Sequence, residues 1–252
     1  MIDTIDHGAV RELRLNRPPV NALAPELISA IMRAVDTAPQ QGVRALVLSG
    51  SPGRFCGGLD VPLLLTLNHA SITALWRDFY SMMCVLGTCQ VPLAVAITGH
   101  APAGGTVLSL FGDYRIVAEG DWRLGLNEVQ VGLTLPPVIF SVLRRLVGAH
   151  QAERLAVGGI LFGPQEALRI GLVDEIVPFD KVVDRAVEWC QGMIALPQGA
   201  MTATRQKARE DMSKLFQHSF SNELEDVVDM WWDDETQAVL RSLAERLTKN
   251  RV

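Results

Sequence analysis

Two short apolar runs, "RALVLSG" (44–50) and "VPLAVAITG" (91–99), each end on glycine and lead through a glycine-rich turn toward apolar helical text. Runs this short and this continuously apolar, and partly β-branched, suit strands buried on both faces.

The flanking text agrees. Val10–Leu15 reads as a strand ended by "NRPP", because proline donates no ladder hydrogen bond. From Pro25, a residue suited to the first helical position, Ile28, Ile31, Met32 and Val35 recur at helical spacing. A helix is expected over 104–112, a strand over 113–120, helices over 138–147, 150–157 and 164–170, and a last strand near 172–178. Beyond about Asp180 only amphipathic helical text remains, broken at "PQG" (197–199), with charged runs such as "RQKARED" (205–211) expected on solvated faces. The expected architecture is an α/β core over residues 1–190 with a helical region over 191–252.

Composition narrows the function. The formal charge is −5, lysine occurs only at 181, 207, 214 and 249, and the arginines are scattered, so no basic stripe exists to follow a nucleic-acid backbone. Cys56, Cys84, Cys89 and Cys190 lack CxxC spacing and a histidine cluster, which leaves zinc and redox motifs unsupported and points to reduced thiols. There is no secretory leader pattern and no run approaching 18 apolar residues; a cytoplasmic protein with no membrane partner is expected.

Two glycine turns, "FCGGLD" (55–60) and "HAPAGGTV" (100–107), could present unpaired N–H groups to an oxygen that gains negative charge, or could simply be tight turns. Neither has GxGxxG spacing or a GK[ST] ending, and GxSxG is absent. His7, His69, His100, His150 and His218 have no recognisable nucleophile partner. Glu128 is different: it is the only ionisable residue in "GLNEVQVGLTLP" (125–136). Leu124, Leu126, Val131 and Leu133 around it would desolvate the carboxyl and raise its pKa toward working pH.

The ordered motifs "NRPPVNAL" (16–23), "RFCGGLD" (54–60), "VPLAVAITGHAPAGGTVLSLFGDYRIVAEG" (91–120), "GLNEVQVGLTLP" (125–136) and "EALRIGLVDEIVP" (166–178) resemble the crotonase, or enoyl-CoA hydratase/isomerase, superfamily. Within it they are most similar to the delta-3,delta-2-enoyl-CoA isomerases. The resemblance implies a spiral of repeated ββα units, an acyl-CoA thioester substrate with coenzyme A as its carrier, no separate cofactor or metal, and C-terminal helices that assemble a homotrimer or a dimer of trimers. It also implies an oxyanion hole made by the backbone N–H groups of Leu59 and Gly104.

One departure bears on the reaction. The family's hydratases carry a glutamate at the position of Val107 in addition to the one matching Glu128, and the pair handles water. With Val107 apolar, the resemblance implies a single-carboxylate proton shuttle in which Glu128 removes a C2 proton from a 3-enoyl-CoA and returns it at C4. Asp60, Leu63, Leu64, Trp76, Phe79, Met83 and Leu133 are candidates to contact the substrate, and Arg17 and Arg54 the CoA phosphates. Low-level hydration, thioester hydrolysis and noncatalytic acyl-CoA binding stay open as alternatives.

Overall fold

The computed structural model describes residues 1–217 and 220–249; His218 and the last three positions of the helical region lie outside them. Six strands form the main sheet: β1 (Ile2–His7), β2 (Val10–Leu15), β3 (Ala45–Ser49), β5 (Leu93–Ile97), β7 (Tyr114–Ala118) and β9 (Glu175–Val177), in that spatial order. Only β1 runs antiparallel to its neighbour. Side chains alternate across this sheet with the two-residue period of a strand. Leu46, Leu48, Leu93, Val95, Ile97 and Val117 face the main core. Ala45, Val47, Ala94, Ala96 and Ala118 face α8 (Val182–Ala195). Small residues on that second face let α8 lie close, where its Val182 and Val187 are buried at about 1.5 kcal/mol or more each.

A second sheet consists of three very short parallel strands, β4 (Gly53–Arg54), β6 (Gly99–Pro102) and β8 (Leu124–Gly125). Helix α1 (Pro25–Thr37) joins β2 to β3, and each short strand follows a strand of the main sheet and precedes helical chain: α2 (Val61–Leu64) and α3 (His69–Gly87) after β4, α4 (Gly104–Leu110) after β6, α5 (Pro137–Val147) after β8. This is a spiral of ββα units, and it stacks three successive turns side by side at the ends of β4, β6 and β8. The sequence did not disclose the small sheet, since two to four residues carry no periodicity.

The chain continues through α6 (Ala149–Gly158), α7 (Pro164–Arg169), α8, α9 (Gln198–Ala208), α10 (Glu210–Lys214), α11 (Ser221–Trp232) and α12 (Asp234–Lys249). The boundary expected at residue 190 falls inside α8. Met212, Val227, Val228, Trp231 and Leu240 from the later helices join the main core. The charged run 205–211 is not simply a solvated face. Half-buried Arg205 and buried Arg209 both pair with Asp113, Arg205 Nη2 at 2.8 Å and Arg209 Nη1 at 2.9 Å, and they also donate to the Cys89 and Phe111 carbonyls. A half-buried carboxylate and chain carbonyls need donors, and these arginines supply them.

Candidate active site

The first turn, after β4, is held from two sides. Phe55 and Cys56 N–H donate to the His100 carbonyl on β6, and Gly57 N–H donates to Val20 O at 2.8 Å. Leu23 N–H donates to Gly58 O and Asp60 N–H to Leu23 O, at 2.7 and 3.0 Å. These bonds skip Leu59, whose N–H has no partner among the described residues. Asn21, fully buried and in the left-handed region at φ 52°, ties the "NRPPVNAL" segment to this turn by donating from Nδ2 to the Arg54 and Phe55 carbonyls.

In the second turn, after β6, Ala103 adopts φ 47° and ψ −118°, a conformation that an L-residue rarely takes. Gly104 follows as the first residue of α4, and its N–H is likewise unpartnered among the described residues. The two turns touch: a Cβ on Gly58 would stand 3.4 Å from Gly104 N. Two free N–H groups thus lie on adjoining turns.

Glu128 opens the third turn, a 3-10 segment over Glu128–Val131 closed by Gly132 at φ 76°. Its Oε2 is buried without a hydrogen-bond partner, and no cation pairs with it among the described residues. Burial pushes its pKa up to about 7, opposed only by a hydrogen bond from its own backbone N–H. Desolvation without a compensating charge is the cause, and it places the group where both protonation states are populated near neutrality.

All three turns line one cavity of about 270 Å³. Leu59, Gly104 and Glu128 share its wall with Trp76, Phe79 and Leu133. Val61 is the wall residue from α2; Leu63 is half-buried and Leu64 is in the core, both away from the cavity, because a helical turn presents only one of its faces to it. Met83 is also core. Asp60 is off the wall: it caps α2 by accepting from Leu63 N–H at 3.3 Å and pairs with Arg17 Nη2 at 2.6 Å. Arg17 is thereby engaged within the chain, whereas Arg54 is exposed. Val107 is buried in α4. His100 is exposed, its Nδ1 accepting from Arg123 N–H and its ring edge on Trp122.

Asn127, Leu243 and Leu247 were not anticipated on the wall. Asn127 precedes Glu128 and has a buried, unpartnered Oδ1; Trp76 Nε1 is similarly unpartnered. Three residues that each carry an unpartnered polar atom, Trp76, Asn127 and Glu128, thus line one largely apolar cavity. Leu243 and Leu247 of α12 close it from the far end of the chain. Their i, i+4 spacing marks an apolar stripe, but nothing local shows that the stripe returns to residue 128. The Thr236 hydroxyl, donating to Gly132 O at 2.7 Å, fastens α12 to the Glu128 turn.

Residues 6–250 match the family described as enoyl-CoA hydratase/isomerase. The chain belongs to that family. Among family relatives, the human mitochondrial enoyl-CoA delta isomerase 1 is 30% identical over 250 residues, covering 98% of this chain and 83% of the relative. A probable enoyl-CoA hydratase of Mycobacterium avium is 32% identical over 194 residues, 77% of this chain and 75% of the relative. The crystal structure of human mitochondrial delta3-delta2-enoyl-CoA isomerase superposes with a TM-score of 0.94 at 28% identity, covering 100% of this chain and 99% of that one. The crotonase-type fold expected from the sequence is therefore the fold of this family member.

Proposed function

We propose that the protein is an isomerase that moves the double bond of a 3-enoyl-CoA into conjugation with its thioester. The observation that carries this is a single carboxyl, Glu128, unpaired in an apolar cavity beside the free N–H groups of Leu59 and Gly104. In its ionised form Glu128 takes a proton from C2. The C–H electron pair forms the C1–C2 double bond of a dienolate, and charge develops on the thioester oxygen facing the two N–H groups. Removing one such donor in comparable sites costs roughly 3–4 kcal/mol of transition-state stabilisation. The protonated Glu128 then gives its proton to C4, the carbonyl re-forms, and a C2–C3 double bond results, leaving Glu128 as it began. No cofactor enters the balance.

Val107 supports isomerisation over hydration, since an apolar residue there cannot help to activate water. Trp76, Phe79, Val61 and Leu133 are assigned to the acyl chain. The likeness to a protein named an isomerase adds support, and the likeness to a probable hydratase keeps hydration as the second reading. Fatty-acid β-oxidation is the setting these substrates suit. Assembly as a homotrimer or dimer of trimers and a cytoplasmic location complete the proposal, the latter supported by four unpaired thiols.

Incubation with trans-3-enoyl-CoA, followed by the absorbance of the conjugated thioester and by mass analysis, tests the reaction. Conjugated product without 3-hydroxyacyl-CoA is expected; 3-hydroxyacyl-CoA as the main product would replace isomerisation with hydration.

A further inference from the structure

Thr106 lies on α4 two residues after Gly104, is fully buried, and is absent from the cavity wall. Its hydroxyl donates to Ala101 O at 2.6 Å and accepts from Gly125 N–H at 2.8 Å. One hydroxyl has one hydrogen and two lone pairs, so both bonds form at once. Ala101 lies just before the second oxyanion turn, and Gly125 lies three residues before Glu128. Gly125 is held again through its carbonyl, which accepts from Ala103 N–H at 2.8 Å. On its other side it abuts Ile160, whose carbonyl oxygen would lie 2.4 Å from any Cβ added at Gly125. The small void beside Thr106 is about 10 Å³, at the lower limit for one water. If the hydroxyl were lost, the chain rather than solvent would have to adjust.

We infer that Thr106 is a positioning residue, which sets the distance between the oxyanion turn and Glu128 through Gly125. It touches no substrate and acts through the two elements it joins. The inference rests on the isomerase reading above for its kinetic test, and on the geometry alone for its spectroscopic one.

Thr106→Val keeps the volume and removes the hydroxyl; Thr106→Ser keeps the hydroxyl and removes a buried methyl. In folded protein, the valine variant is expected to lose about 10- to 100-fold in kcat, the scale of a small misplacement of reacting groups, with KM little changed. The apparent pKa of its pH–rate profile should move, because the surroundings of Glu128 relax. Thr106→Ser should melt lower yet keep nearly wild-type turnover. If Thr106→Val fails to fold, Thr106→Ala against Thr106→Ser, which differ by one oxygen, provides the same comparison.

Two measurements need no turnover. Exchange of the Gly125 amide should quicken in the variant lacking the hydroxyl, and the carbonyl stretch of a bound saturated acyl-CoA should move toward its free value. Wild-type kcat, exchange and carbonyl stretch in folded Thr106→Val would overturn the inference. If wild-type protein leaves 3-enoyl-CoA unchanged, it is the isomerase reading that fails, and the exchange and carbonyl measurements still decide the role of Thr106.

Discussion

A Cβ placed on Gly104 would stand 3.1 Å from the Cα of Gly58, so the two turns with free N–H groups meet backbone to backbone. It would also stand 2.8 Å from Leu23 Cδ1, a side-chain end that can swing aside, whereas the Gly58 backbone cannot. Gly104→Ala retains the N–H but forces the turns apart. We expect kcat to fall about 10- to 100-fold with the fold intact, as read by steady-state kinetics beside circular dichroism.

Ala103, at φ 47° and ψ −118°, carries strain of roughly 1–3 kcal/mol one residue before the free Gly104 N–H. Ala103→Gly removes that strain and adds unfolded-chain entropy of about 0.5–1 kcal/mol. A net gain of roughly 0.5–2 kcal/mol in urea unfolding is expected, with turnover close to wild type. A loss of stability would show that Ala103 is not strained in solution.

The Arg17–Asp60 pair, at 2.6 Å, braces the first turn from the "NRPPVNAL" segment. A double-mutant cycle of Arg17→Ala and Asp60→Asn should give a coupling of about 1–3 kcal/mol in unfolding free energy. Asparagine keeps the α2 cap, so the cycle reports the ion pair. Coupling near zero would mean that solvent screens the pair.

Glu128 makes stability depend on pH in a specific direction. Its folded pKa, about 7, lies above the ordinary 4.5, so the folded state holds the proton longer. The stability this confers is fully present below about 4.5 and is lost as pH rises through about 7. Wild type and Glu128→Gln should therefore differ least in acid, and the glutamine variant should gain on wild type up to roughly 3 kcal/mol by pH 8. Chemical denaturation across pH 4–8 checks both sign and window.

Much of this was legible in the sequence, because the large strands and most of the helices are long enough to show a period. The apolar runs 44–50 and 91–99 became β3 and β5, and the glycine turns after them carry the free N–H groups of Leu59 and Gly104. What was hidden has physical reasons. Strands of two to four residues leave no pattern, the inward face of α2 depends on how it docks, and Leu243 reaches the cavity only through tertiary contacts made more than a hundred residues after Glu128. Arg205 and Arg209 read as surface charges because their partner, Asp113, is remote in sequence.

Glu128→Gln gives the most direct test of the proposed chemistry. The amide preserves shape but cannot accept the C2 proton, while the Leu59 and Gly104 N–H groups remain in place. With trans-3-enoyl-CoA as substrate and conjugated-thioester absorbance as readout, turnover should fall by at least ~100-fold, the lower end of general-base contributions, with acyl-CoA affinity little changed. Isomerisation at the wild-type rate in the folded glutamine variant would contradict the assignment of Glu128 as the proton carrier.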